Sequence, residues 1–120
     1  MRVLIIEDND MLNKAYCLII EKQGYEIDTA YDGISGLEKI YSFKPDLILL
    51  DMLLPKLNGI GVLKKLKDSP PDHEMKILLL TNFGYKKEVE QALELGADAY
   101  FLKSSLSPTD LTSIIKKFDN

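Results

Sequence analysis

Three short apolar runs without alternation, at residues 3–6, 47–50 and 77–80, are separated by stretches in which apolar residues recur every three or four positions. An unbroken apolar run bounded by turn residues is how a strand covered on both faces reads, whereas the wider spacing is the stripe of an amphipathic helix. Residues 9–22 carry such a stripe at Leu12, Ala15, Tyr16 and Ile19, with Asn9 or Asp10 available as N-cap and Gly24 just past the end. Residues 25–30 alternate apolar and polar instead, which predicts a half-exposed strand at a sheet edge. Asp32-Gly33 turns the chain into a second helix striped by Ile34, Leu37, Ile40 and Tyr41 and ended by Pro45.

A third helix follows, with Ile60, Leu63 and Leu66 on one side and Lys64, Lys65 and Lys67 on another, stopping at Ser69-Pro70-Pro71-Asp72. Tyr85, Val89, Ala92 and Leu93 mark a fourth helix closed by Gly96, and residues 99–102 form a last short strand running into Lys103. Ser107-Pro108-Thr109-Asp110 supplies an N-cap, a proline at the first helical position and an acid three residues on, ahead of a final stripe at Leu111, Ile114, Ile115 and Phe118. Strands alternating with helices five times predict an α/β domain: a parallel sheet with right-handed crossovers and helices on both faces.

Composition narrows the classes. At 120 residues the chain is one domain over residues 1–120, and 46% hydrophobic with 28% charged residues is ordinary for a soluble globular protein. No apolar run is long enough to span a bilayer, and the opening one is cut short by Glu7, Asp8 and Asp10, so a cytoplasmic protein is expected. Cys17 alone allows no internal disulfide, and a net charge of -4 argues against a nucleic-acid-binding surface. His73, in a polar loop, reads as solvated.

Parallel sheets bind ligands beyond the carboxyl ends of their strands. Glu7-Asp8, Asp51, Thr81 and Lys103 each end one of the predicted strands, so the fold brings them to one rim. Three carboxylates there raise one another's pKa unless a cation neutralises them, and Mg2+, which prefers oxygen ligands and keeps several waters, suits such a cluster. Lys103 adds a point charge and Thr81 a hydroxyl donor for phosphoryl oxygens, with Asp51 as nucleophile: the positioning and charge neutralisation that phosphoryl transfer needs.

On these residues the chain resembles the receiver domain of two-component response regulators, over essentially its whole length and with the motifs in the family's order. The resemblance implies a flavodoxin-like three-layer sandwich whose five strands run 2-1-3-4-5. It implies Asp51 as the acceptor of a phosphoryl group from a histidine kinase or histidine phosphotransfer protein, and Glu7, Asp8, Asp51 and the Leu53 backbone carbonyl as Mg2+ ligands. Thr81, Lys103 and a switching aromatic, Tyr100, complete the site. The output is expected at the fourth helix, fifth strand and fifth helix, a face counting Lys86, Lys87, Glu90, Glu94, Asp98 and Lys117, as a homodimer or target contact without direct contact to nucleic acid or membrane. Such a domain is no enzyme in the usual sense; it assists its own phosphorylation and dephosphorylation.

Two departures stand out. Glu7 replaces the commoner aspartate, which favours Asp8 as the direct metal ligand, and Ser104 stands where the family has proline, which predicts a trans bond after Lys103 because a cis bond before a non-proline residue costs about 2.5–4 kcal/mol. Leu53 and Phe83, each two residues beyond a site residue, are apolar and cannot orient an attacking water, so slow self-dephosphorylation is expected. Three alternatives stay open: a small phosphatase or phosphotransferase with an aspartyl-phosphate intermediate, a flavodoxin-like cofactor binder, and a pseudo-receiver that only binds partners. The acidic Glu7-Asp8-Asn9-Asp10 loop speaks against a bound cofactor phosphate, and the complete acidic set against the last.

Overall fold

A computed structural model describes residues 1–82 and 86–119. Five strands, β1 (Arg2–Ile6), β2 (Glu26–Ala30), β3 (Leu47–Asp51), β4 (Lys76–Thr81) and β5 (Ala99–Leu102), alternate with five helices, α1 (Asp10–Glu21), α2 (Gly33–Phe43), α3 (Gly59–Asp68), α4 (Lys86–Glu94) and α5 (Pro108–Phe118). The strands form one sheet in the order β2-β1-β3-β4-β5, every neighbouring pair parallel. This is the flavodoxin-like arrangement expected above.

The apolar runs do not alternate because each strand feeds two cores. Leu4, Ile6, Ile48, Leu50, Ile77 and Leu79 pack with residues of α2, α3 and α4. Val3, Ile5, Leu47, Leu49, Leu78 and Leu80 pack instead with Tyr16 and Ile20 of α1 and Leu111 and Ile115 of α5. Strand β3 is buried at all five positions, whereas β2, at the sheet edge, is half-buried as its alternation predicted.

The helix ends follow their local chemistry. Asn9, rather than Asp10, caps α1 by accepting from the Leu12 N–H at 2.9 Å. Ser107 and Asp110 close a reciprocal capping box at α5, with Pro108 leading the helix. Gly96, with φ +115, ends α4 in the left-handed region. Among the described residues no peptide bond is cis, so the bond after Lys103 is trans, and it opens a short 3-10 turn, Lys103–Ser105.

The helix faces differ from the apolar stripes in places. Ala15 is exposed while Asn13 and Ile20 are buried on α1. On α2, Ile34 and Tyr41 are exposed and the buried positions are Gly33, which lies against Leu57 of the β3–α3 loop, and Gly36 and Ile40, which face the core. A Cβ at Gly36 would lie 2.7 Å from Ile6 Cδ1, so the helix approaches the sheet at a distance that only a residue without a side chain permits. Tyr41 donates its hydroxyl hydrogen to the Ser69 carbonyl at the end of α3. Tyr85 lies outside the described residues.

Two surface assignments also change. His73 is half-buried, with Nε2 3.0 Å from the Pro45 carbonyl oxygen, because its loop folds back against the end of α2. Asp98 turns to the start of β4, where Oδ2 accepts from the Ile77 N–H at 2.7 Å and Oδ1 lies 3.9 Å from Lys76 Nζ. It serves that junction rather than the α4 face.

Candidate functional site

Strand register assembles the site. Ile6 pairs with Leu50, so Glu7 and Asp51 each follow the paired residues at the carboxyl edge. Asp51 pairs with Leu80 and Thr81 with Leu102, which sets Thr81 and Lys103 one step further along the same edge. Residues from four chain segments therefore meet on one rim. Glu7, Asp51 and Thr81 are buried there, among few buried polar side chains, while Asp8 is exposed at the mouth.

The Lys103 ammonium bridges two of the acids. Its Nζ lies 2.5 Å from Glu7 Oε1 and 3.1 Å from Asp51 Oδ2. Glu7 Oε2 accepts from the Asn9 N–H at 3.1 Å, and the Leu53 N–H lies 3.4 Å from Asp51 Oδ1. Both buried carboxylates thus lie beside the same ammonium and a backbone N–H. Leu53, following them, is exposed at the start of the β3–α3 loop, and Tyr100 is exposed on β5 beside Val89 and Leu93 of α4.

One ammonium does not balance the acids. Burial first, and the Glu7 charge second, push the Asp51 carboxyl up to about 7 against the opposing pull of Lys103. Burial alone would lower the Lys103 pKa, but its hydrogen bond to Glu7 and the charge of Asp51 outweigh that and hold it raised. Beneath them the Tyr16 phenol is pushed up to about 12, by burial and then by the charges of Glu7 and Asp51.

The chemistry of this donor set fits a hard divalent cation. Glu7, Asp8 and Asp51 each offer a carboxylate oxygen, and these atoms lie within 4.8 Å of one another. Oxygen-only donors, a surplus of negative charge and an exposed acid at the mouth match what Mg2+ takes, one or two carboxylates with water completing its shell. Of the two acids after β1, Glu7 is already engaged by Lys103, which leaves Asp8 the more available.

The stripe reading missed Asn13, a buried amide whose Nδ2 donates to the Glu7 carbonyl at 3.0 Å, and it placed Tyr16 in the core without its proximity to the acids. A polar residue six positions beyond Glu7, inside an otherwise apolar helix face, was the available signal. Phe83 lies outside the described residues.

The model of the response regulator receiver domain family matches residues 3–116. The chain belongs to that family. The receiver is 38% identical to the transcriptional regulatory protein DltR of Streptococcus agalactiae over 103 residues, covering 86% of this chain and 45% of that protein. It is 34% identical to the chemotaxis protein CheY of Treponema pallidum over 119 residues, covering 97% of this chain and 78% of that one. Among solved structures, a CheY-like receiver domain protein from Methanospirillum hungatei superposes with a TM-score of 0.88 at 34% identity, covering 98% of this chain and 93% of that one. The chain spans about half the length of several relatives it matches. Receivers of this family are phosphoacceptor signalling domains of two-component systems.

Proposed function

We propose that residues 1–120 form one receiver domain in which Asp51 accepts a phosphoryl group from a histidine kinase or histidine phosphotransfer protein in the cytoplasm. An Asp51 carboxylate oxygen bonds to phosphorus as the phosphorus–nitrogen bond of the donor's phosphohistidine breaks, and the departing imidazole takes up a proton. Lys103 then exchanges its contact with Asp51 for a phosphoryl oxygen, and the Thr81 hydroxyl donates to another. Mg2+, held by Asp8, Asp51 and the Leu53 carbonyl, with Glu7 reaching it directly or through water, would neutralise charge on the acids and the transferring group. Because the domain is consumed as acceptor, it assists its own phosphorylation and dephosphorylation rather than turning over a separate substrate.

The observation that carries this reading is the position of Lys103 Nζ, 3.1 Å from Asp51 Oδ2 with two further carboxylates beside it. A cation already in contact with the acceptor is pre-organised for the phosphoryl charge. The output follows as a population shift: drawing Thr81 toward the phosphoryl group frees space for exposed Tyr100 to turn inward, which remodels the surface of α4, β5 and α5 for a second copy or a target protein. That surface carries mixed charge, with Lys86, Lys87, Glu90 and Lys117, and suits protein partners rather than nucleic acid. Among the described residues no helix is long and apolar enough to cross a membrane.

Backbone amide spectra with and without beryllofluoride and Mg2+ test the whole reading. Shifts at Asp8 and Asp51 that extend to Tyr100 and α5 are expected. Shifts confined to the rim would overturn the switch, and an unchanged spectrum would overturn the site.

A further inference from the structure

We infer that Asn13 is a positioning residue for the acidic end of this site: its buried amide fixes the Glu7 backbone so that Asp8 is presented to the cation. The inference rests on the Mg2+ site proposed above.

Asn13 is fully buried on the inner face of α1, where its neighbours toward the core are Tyr16 and Ile20. All of its amide hydrogen-bonding groups are used. Nδ2 donates to the Glu7 carbonyl at 3.0 Å and to the Ala30 carbonyl at 3.3 Å, and Oδ1 accepts from the Cys17 thiol at 3.4 Å. The Ala30 carbonyl also accepts from the Glu7 N–H at 3.0 Å. One side chain thus ties together the end of β1, the end of β2 and the first turns of α1. The Asn13 N–H, donating to the Asn9 carbonyl at 2.9 Å, closes the same loop from the other side.

The consequence falls on Asp8. Glu7 is buried and held by Lys103, so its side chain has contacts of its own. Asp8 is exposed, and little packing fixes the direction of its carboxylate. That direction is set by the peptide plane between Glu7 and Asp8, whose carbonyl is the group that the Asn13 amide holds. Without that donor the plane is free to rotate, and Asp8 spends less time aimed at Asp51. Partners one step behind metal ligands act in this way, and their loss weakens metal binding by roughly 10–100-fold.

The test follows Mg2+ titrations by amide chemical shift in the wild type, Asn13→Leu, Asn13→Ala and the control Ile20→Val, a trim on the same buried helix face. The two Asn13 variants should bind Mg2+ about tenfold more weakly while still unfolding cooperatively in urea, and Ile20→Val should bind as the wild type does. A purely architectural asparagine would lower stability and leave the affinity of the folded protein alone, so an affinity within twofold of the wild type in either Asn13 variant overturns the inference. A measurement on the wild type stands even if both variants fail to fold: the Asn13 side-chain NH2 signals should shift on Mg2+ saturation, and unmoved signals would also overturn it. A wild type that binds no Mg2+ would bring down the metal site and this inference together, an outcome distinct from intact binding by the variants.

Discussion

The ammonium of Lys103 lies 2.5 Å from Glu7 Oε1, with both side chains almost out of water, and this contact is shorter than the one Lys103 makes with Asp51, the proposed acceptor. The extra methylene of Glu7 brings its carboxylate to the lysine, and among the described residues Lys103 is the one cation paired with these two buried acids. Replacing it with methionine leaves two carboxylates buried without it. Removing one partner of a buried ion pair costs about 3–5 kcal/mol, so Lys103→Met should lose stability of that order in urea unfolding at pH 7.5. Added Mg2+ should restore part of it. A loss below about 1 kcal/mol would mean that water already shields these acids.

Asp51 predicts a pH dependence of unusual sign. Its carboxyl titrates near 7 in the folded protein against an ordinary 3.8, so the folded state holds the proton more tightly. The contribution of this group to stability therefore falls as pH rises from about 4 to about 7 and stays low above that. Asp51→Asn removes the titration and one of two acids sharing a lysine. Without Mg2+ it should unfold at higher urea than the wild type at pH 7.5, with the gap closing toward pH 4.5. A variant less stable than the wild type at pH 7.5 would show that Lys103 fully compensates both acids.

Tyr16 reports the same charge from below. Its phenol is raised from 10.0 to about 12, so the unfolded chain ionises first and the folded protein loses stability as pH rises through that interval. The loss attributable to Tyr16 is roughly 2–3 kcal/mol. Tyr16→Phe should lack it, which a comparison of unfolding midpoints at pH 9 and pH 11.5 would reveal as a smaller drop in the variant.

Much of this was legible in the chain itself, for reasons particular to certain residues. Residues 47–50 announced a central strand because Ile48 and Leu50 face one core while Leu47 and Leu49 face the other. Asp51, Glu7 and Lys103 could be brought together because strand ends are visible where apolar runs stop. Helix faces were harder: α2 meets the sheet through Gly36, and a missing side chain leaves no mark in a count of apolar positions. Asn13 was harder to read because one of its two carbonyl partners, Ala30 at the end of β2, reaches it only through the fold, while the nearby Glu7 carbonyl left just a polar residue on an apolar helix face as a sign. The burial of His73 and the turn of Asp98 toward Ile77 likewise depend on where loops return, which local pattern does not encode.

Leu53 bears on how long a phosphoryl group would last. Its side chain is exposed two residues beyond Asp51 and offers a water no hydrogen-bonding group. Leu53→Asn should shorten the phosphoryl lifetime by up to about tenfold, equivalent to about 1.4 kcal/mol of barrier, in a time course of autodephosphorylation. An unchanged or longer lifetime would mean that access of water, rather than its orientation, limits the reaction.

The most direct measurement is intact-mass analysis after exposure to acetyl phosphate with Mg2+. The wild type should gain the mass of one phosphoryl group, lose it on brief treatment at high pH as an acyl phosphate does, and gain nothing when Mg2+ is chelated or when Asp51 is replaced by asparagine. A wild type that never acquires the adduct, or an Asp51→Asn protein that acquires it at the same rate, would contradict the assignment of Asp51 as the phosphoacceptor.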